Sequence, residues 1–313
     1  MRVFVAGHRG MAGSAIRRRL SKLHPGWELI TRTRDELNLL NQVDVHHFLA
    51  SAKPDLVIIA AAKVGGILAN DQYRAEFLYE NLMIEANLIH GSFQVGVRDL
   101  LFLGSSCIYP RDCPQPIKED ALMTGPLEST NEAYAIAKIA GVKLCQSYNA
   151  QYGTCYRSLM PTNLYGPRDN YDLHTSHVLP ALIRKAHEAK IRGSDHMVIW
   201  GSGHPRREFL HVDDLADACV YFINHQPAQI ETADWDLLNI GTGSDVSIAE
   251  LARYVADVVG FSGELIFDAS KPDGTPRKVL DVSKASDLGW TATITLQDGL
   301  EMTYQTFLEE YDP

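Results

Sequence analysis

The stretch VFVAGHRGMAGSAI, Val3 to Ile16, decides the fold of this chain. An apolar run reads as a strand, glycines follow at Gly7, Gly10 and Gly13, and helical spacing takes over from Met11. Glycine lets a backbone turn sharply and approach a pyrophosphate, which then rests on free amides at a helix N-terminus. The spacing is G-x-x-G-x-x-G rather than the commoner G-x-G-x-x-G, so its weight comes from opening a βαβ unit. On this reading Gly7, His8, Arg9, Gly10, Met11, Ala12 and Gly13 cradle a dinucleotide. The alternative is a glycine-rich turn without a ligand.

The same alternation continues outward. RVFVAG, WELITR, DLVIIAAA and LLFLGSS read as strands, and their continuous apolar runs suit parallel strands covered on both faces. Met11 to Leu23, Val43 to Ala52, Asn81 to Val95 and Glu132 to Tyr152 read as helices. Ser129 and Glu132 have the spacing of a capping box at the start of the last. The expected fold is α/β, a Rossmann-type doubly wound parallel sheet.

Beyond residue 166 the alternation becomes irregular, yet LLNIGTG, Leu237 to Gly243, again reads as a strand of the main sheet. Two interleaved lobes are therefore expected. Residues 1–166 with about 207–245 form the nucleotide-binding domain, and about 167–206 with 246–313 form a smaller C-terminal substrate lobe.

The 313 residues carry 29 basic and 39 acidic side chains, a net charge of -10 that disfavours nucleic acid and anionic membrane as partners. An anionic ligand would need local basic pockets. Five cysteines without a C-x-x-C pair suggest neither a disulfide framework nor a cysteine zinc site. The first residues lack a signal-peptide core, and the longest apolar stretch, Leu56 to Ala69, is interrupted by Lys63 and two glycines. A soluble cytoplasmic protein is expected.

The second strand ends in Thr31 and Arg32, with Arg34 close by and Arg9 in the glycine loop. A carboxylate at that strand end would bind the ribose hydroxyls of NAD, whereas arginine suits a 2′-phosphate. NADP(H) is the expected cofactor, the alternative being that these arginines are solvated surface charge.

Tyr134 and Lys138 lie four apart on one helix face. A tyrosine transfers protons poorly near neutrality unless a cation stabilises its phenolate, and Lys138 can supply one. Y-x-x-x-K also arises by chance on amphipathic helices. Ser105, at the end of the fourth strand, supplies a hydroxyl for a carbonyl oxygen, and the three motifs appear in the order that hydride transfer needs. Cys107 follows in GSSCIYP, where a free cysteine can equally be core packing. HTSH, with His174 and His177, is thin as a metal site, and no metal is expected. FLHVDDLADA reads as a helix start capped by Asp213 or Asp214.

With these motifs assembled, the sequence resembles the extended short-chain dehydrogenase/reductases that act on nucleotide sugars. It is most similar to the branch that epimerises GDP-4-keto-6-deoxy-D-mannose at C3 and C5 and reduces it at C4. The resemblance runs through GHRGMAGSAI, RTRDELNLL, AAAKVGGI, LFLGSSCIYP, NEAYAIAKIAG, MPTNLYGP, SHVLPAL, WGSG, REFLHVDDLA and FDASKPDGTPRK. It implies Ser105, Tyr134 and Lys138 as a reductase triad and Cys107 with His177 as the acid/base pair for epimerisation. Leu103, Gly104, Ser105, Ser106, Lys138, His177 and the run Pro161, Thr162, Asn163, Leu164 are implied cofactor contacts. Lys185, Trp200, Arg207, Asp273 and Lys278 are implied contacts of the GDP-sugar; at Lys185 the branch commonly has arginine, so a bidentate fork is lost.

The resemblance further implies a homodimer built on the helices 81–95 and 132–152, where Met83, Ile84, Ile136 and Val142 offer apolar surface. Rival readings are a 4-epimerase or a 4,6-dehydratase with recycled NAD, or a non-catalytic NADP-binding sensor. The dehydratase wants acids where Ser106 and Cys107 stand, the 4-epimerase leaves Cys107 without a role, and the sensor leaves the triad idle.

Overall fold

A computed structural model describes residues 1–173, 175–225, 235–271 and 273–311. In chain order the first half holds β1 (Arg2–Ala6), α1 (Met11–Leu23), β2 (Glu28–Ile30), α2 (Gln42–Ala52), β3 (Leu56–Ile59), α3 (Ile67–Gln72), α4 (Arg74–Gln94), β4 (Asp99–Leu103), α5 (Glu132–Tyr152) and β5 (Cys155–Pro161). It continues with β6 (Asn163–Tyr165), α6 (Val178–Ile191), β7 (His196–Trp200), β8 (Arg206–Arg207), β9 (Phe209–His211), α7 (Val212–Asn224) and β10 (Leu237–Ile240). The last segments are β11 (Val246–Ser247), α8 (Ile248–Val259), β12 (Glu264–Asp268), β13 (Arg277–Lys278), α9 (Ser283–Asp287) and α10 (Leu296–Tyr311).

Six strands make one parallel, Rossmann-like sheet in the order β10-β5-β4-β3-β1-β2. Strand order reverses between β1 and β3, which opens a crevice at their carboxyl ends, the usual ligand position in such sheets. The central strands are buried along their length because helices cover both faces. On one face Ile16 and Leu20 of α1 meet Leu215 and Phe222 of α7. On the other, Leu49 of α2, Leu88 of α4 and Val142 of α5 cover Phe4, Val57 and Phe102. As expected, LLNIGTG supplies the edge strand β10, beside β5.

A separate core holds the smaller lobe, where Leu182 and Ile183 of α6, Leu251 and Val255 of α8, and Tyr304 and Phe307 of α10 pack around β7 and β12. Ala285 and Trp290, by contrast, join the core of α1 and α7.

Two capping expectations are corrected. α5 begins after Asn131, which makes no side-chain cap, and in the turn before it Glu128 accepts from the amide and hydroxyl of Thr130. A full capping box forms instead at Ser247 and Glu250 of α8. Likewise α7 is capped by His211, whose Nδ1 accepts from the Asp213 amide. Asp213 pairs with Arg18, and Asp214 turns to accept from Thr293 and Ile294. α4 starts at Arg74, earlier than the spacing of 81–95 suggests, and Val142 faces the core rather than a neighbouring chain.

Candidate active site

The glycine loop sits at the β1 end of the crevice. Gly7 adopts φ +85, and a methyl there would lie 2.6 Å from the Ala61 amide nitrogen; one on Gly13 would collide with the Gly7 carbonyl. The turn therefore closes only with bare backbone at both positions. α1 begins at Gly10 with no side-chain cap and no acid in its first turn, which leaves the positive helix end open to an anion. His8 is buried, its Nδ1 has no partner, and burial with the nearby cations of Arg17 and Arg9 lowers its pKa. A cradle that any side chain would fill, with an unpartnered ring nitrogen beside it, fits a dinucleotide pyrophosphate.

Arg32 lies 5.1 Å from the centre of the Phe48 ring and donates to the Thr31 carbonyl at 2.7 Å. Glu36 stands near it after all: it accepts from the Thr33 amide at 2.7 Å, and those Thr33 bonds, with Arg32 and Arg9 nearby, lower its pKa. The two arginines thus converge on one side of the loop. Arg34 points away, toward Glu80.

At the β4 end, Ser105 opens a single 3-10 turn, Ser106–Ile108, and its hydroxyl accepts from the Cys107 amide at 3.4 Å. Ser106 and Cys107 are buried. Burial raises the Cys107 thiol pKa, while Lys278, Ser105 and Lys138 pull it down in that order. Tyr134 and Lys138 project from α5, with the ammonium 5.8 Å from the Tyr134 ring centre. Lys138 donates to the Leu103 carbonyl at 3.0 Å and pairs with Glu85 of α4 at 2.8 Å. Burial first, then the charges of Cys107 and Glu85, push the Tyr134 phenol well above its ordinary value. The acidifying effect expected of Lys138 is offset by the carboxylate beside it.

Pro161 ends β5, and the following residues are held from beneath. Thr162 and the Asn163 amide both donate to the Glu208 carbonyl, at 3.2 and 2.8 Å. The Glu208 carboxylate, fully buried, accepts from the amides of Thr242, Gly243 and Leu280. Tyr109, just past Cys107, donates to Asn239 at 2.6 Å, and Asn239 donates to the carbonyls of Ile117 and Asp281.

His177 caps α6 with its backbone, its ring making no cap hydrogen bond. It keeps a face open to solvent at the mouth of the cleft, while the protein around it lowers its pKa by desolvation. Its loop leans on the loop after β3: Gly66 donates to the Thr175 carbonyl at 3.0 Å, and Asn70 and Asn81 fix Gly65 and Lys63. His174 lies outside the described residues.

Of the residues expected at the nucleotide-sugar, Arg207 and Lys278 are register partners across β8 and β13. Burial lowers both pKa values, and Arg207 lowers that of Lys278 further. Asp273 accepts from the Ser202 amide and hydroxyl at 2.7 and 2.8 Å and also bears on Arg207. Lys185 donates to the Val198 carbonyl at 3.2 Å and sits 5.0 Å from the centre of the Trp200 ring. Glu85, Glu208 and Asn239 had no signal in the sequence, since each acts on residues far along the chain.

A glycine cradle at a strand-order reversal, with serine, tyrosine and lysine at the next strand end, defines a nucleotide-dependent oxidoreductase or epimerase. Comparison with known proteins makes this specific: the NAD dependent epimerase/dehydratase family matches residues 3–241, and the chain belongs to it. The GDP-L-fucose synthase of Escherichia coli (strain K12) is 56% identical over 99% of this chain and 98% of its own. The solved structure of MlghC, GDP-mannoheptose C4 reductase from Campylobacter jejuni with NADP bound, is 41% identical with TM-score 0.88, covering 98% of both chains. A GDP-L-fucose synthetase from Naegleria fowleri bound to NADP is 27% identical with TM-score 0.88, covering 99% of this chain and 95% of that one.

Proposed function

We propose that the protein is a GDP-L-fucose synthase, epimerising GDP-4-keto-6-deoxy-D-mannose at C3 and C5 and then reducing C4 with NADPH. The observation that carries this reading is Cys107 beside the reductase triad, hydrogen-bonded through Ser105 and facing the Lys278 cation. The C3 and C5 hydrogens of a 4-keto sugar are both acidified by the carbonyl, so one pair of groups can serve both centres.

Cys107 and His177 form the acid/base pair. Burial raises the Cys107 thiol pKa, with Lys278, Ser105 and Lys138 opposing that rise, and desolvation lowers that of His177, which moves the two groups in opposite directions. One member of the pair removes the proton from one face, leaving an enolate whose oxygen accepts from Ser105 and Tyr134, and the other returns a proton to the opposite face. NADPH held in the glycine cradle would supply a hydride for C4. Tyr134, kept protonated by its surroundings, donates to the C4 oxygen as that bond forms. Thr162 and Asn163, fixed by the Glu208 carbonyl, border the cofactor end, and Lys185, Trp200, Arg207, Asp273 and Lys278 take the GDP-sugar.

Residues 1–166 with about 208–245 form the cofactor domain and the rest the sugar-nucleotide lobe in this reading, apart from Ala285 and Trp290, which pack into the cofactor-domain core. The molecule works as a homodimer through α4 and α5, which leave Tyr79, Ile136 and Tyr152 exposed. Among the described residues no helix is long and apolar enough to cross a membrane, which accords with a cytoplasmic enzyme.

Turnover with NADPH and GDP-4-keto-6-deoxy-D-mannose in deuterated water tests the whole reading. One NADPH spent per product, with label at C3 and C5, is expected. NADPH left unspent would favour a cofactor-recycling epimerase or dehydratase. Cys107→Ser is expected to lose the label while still reducing a keto sugar already of the product configuration, and undiminished exchange in it would remove Cys107 from the chemistry.

A further inference from the structure

The buried carboxylate of Glu85 has no part in the epimerase or reductase steps above. It lies within α4, 2.8 Å from the Lys138 ammonium, and both side chains are 2% exposed. The space it fills is kept open by Gly141 of α5, where a methyl would lie 2.7 Å from Glu85 Oε2 and 2.5 Å from the Phe102 ring. A glycine inside a helix is unfavourable relative to alanine, and here the clearance it leaves is occupied by the Glu85 carboxyl, whose pKa burial raises and the Lys138 ammonium draws back down. A buried ion pair is itself a poor stabiliser, since desolvation of both groups offsets their attraction.

Lys138 is hemmed in on every described side: Glu85, the Leu103 carbonyl at 3.0 Å, the Phe102 ring at 4.7 Å and the Tyr134 ring at 5.8 Å. Leu103 is the last residue of β4, two before Ser105, so the ammonium also ties α5 to the strand end that carries the triad serine.

We propose that Glu85 is a positioning residue for the reduction: it anchors the Lys138 ammonium against the end of β4 and offsets its charge, so that Tyr134 stays protonated to serve as proton donor. This rests on the reading of Tyr134 and Lys138 as the reductase pair. The titratable groups facing Tyr134 are Lys138 on its own helix, Glu85 from α4 and Cys107 from the turn after β4. Cys107 in turn faces Lys278 from β13, and Glu85 also bears on the buried Cys145 of α5. Among these, Glu85 and Cys107 favour the neutral phenol, and Glu85 alone also sets the position of the lysine.

The test is the pH profile of kcat for reduction, measured on the NADPH-loaded enzyme with Glu85→Gln and Glu85→Asp. Reduction needs the phenol protonated, so activity falls as pH rises through the Tyr134 titration. Glu85→Gln, which keeps the shape and removes the charge, is expected to move that descending limb to lower pH, and Glu85→Asp to keep it near the wild-type position. A uniform drop in kcat with an unmoved limb in Glu85→Gln overturns the proposal and leaves Glu85 a structural residue. Should the amide variant not fold, Glu85→Met removes the charge at similar volume, and the same displacement or its absence decides. Tyrosinate absorbance titration of each variant against the same variant carrying Tyr134→Phe needs no sugar. It reads the coupling even if wild-type protein fails to turn over the keto sugar, the outcome that would overturn the proposed function instead.

Discussion

Asp169 sits in the loop that leads from β6 to His177, with one carboxyl oxygen accepting from the Asn170 amide at 2.7 Å and the other buried without a partner. Burial pushes its pKa from 3.8 up to about 7. The folded state therefore holds this proton where the unfolded chain has lost it. Stability from this group is complete below pH 3.8 and drains away as pH rises through about 7. Asp169→Asn keeps the acceptor and removes the ionisation, so it should match wild type near pH 4 and exceed it at pH 8 by up to about 4 kcal/mol. Denaturant unfolding across that range checks this, and a pH-independent difference would point to some other cause. At this scale the placement of the candidate site residues was legible, because Ser105 and Cys107 follow a strand end and Tyr134 and Lys138 share one helix face, whose spacing shows in the sequence. Glu85, Glu208 and Asn239 were not, because an interior carboxylate or amide looks like any surface one until the backbone amides or ammonium that it holds arrive from another element.

The glycine loop illustrates how much one element can carry. Gly13 is the first turn of α1 and also the roof of the Gly7 turn, so Gly13→Ala should open the loop rather than merely stiffen the helix. NADPH affinity is expected to fall by about tenfold or more, a loss of about 1.4 kcal/mol, read by fluorescence titration, and an unchanged affinity would place the cofactor elsewhere. The bounds of α1 and α5 agree with the helical spacing of their sequences because both run between a glycine-rich or polar start and a clear stop; α5 ends at Gly153 in a left-handed turn. The beginning of α4 was hidden because α3 runs through Tyr73 directly into it, with no punctuation between. The capping signals misled for a local reason: each helix starts at a different residue from the one the signal marks, α5 after Asn131 and α7 after His211.

Over the whole molecule the alternation of strands and helices made the parallel sheet readable, since each buried strand announces itself as an apolar run. The smaller lobe was less so: β8, β11 and β13 are two residues each and depend on neighbours rather than on their own pattern. Those short strands nevertheless hold Arg207 against Lys278, two cations pressed together in a protein whose net charge is -10. Burial first, and the Arg207 cation after it, make Lys278 hold its proton less firmly than an ordinary lysine. An anion placed between them reverses that. On the proposed reading, in which Arg207 and Lys278 take the GDP-sugar, binding of its diphosphate should draw a proton from solution at alkaline pH, by the same linkage that ties any pKa change to an equilibrium. Calorimetric titration in buffers of different ionisation enthalpy would register the uptake, and Lys278→Met should abolish it, so that nucleotide capture by this acidic enzyme becomes tighter as the solution becomes more acidic.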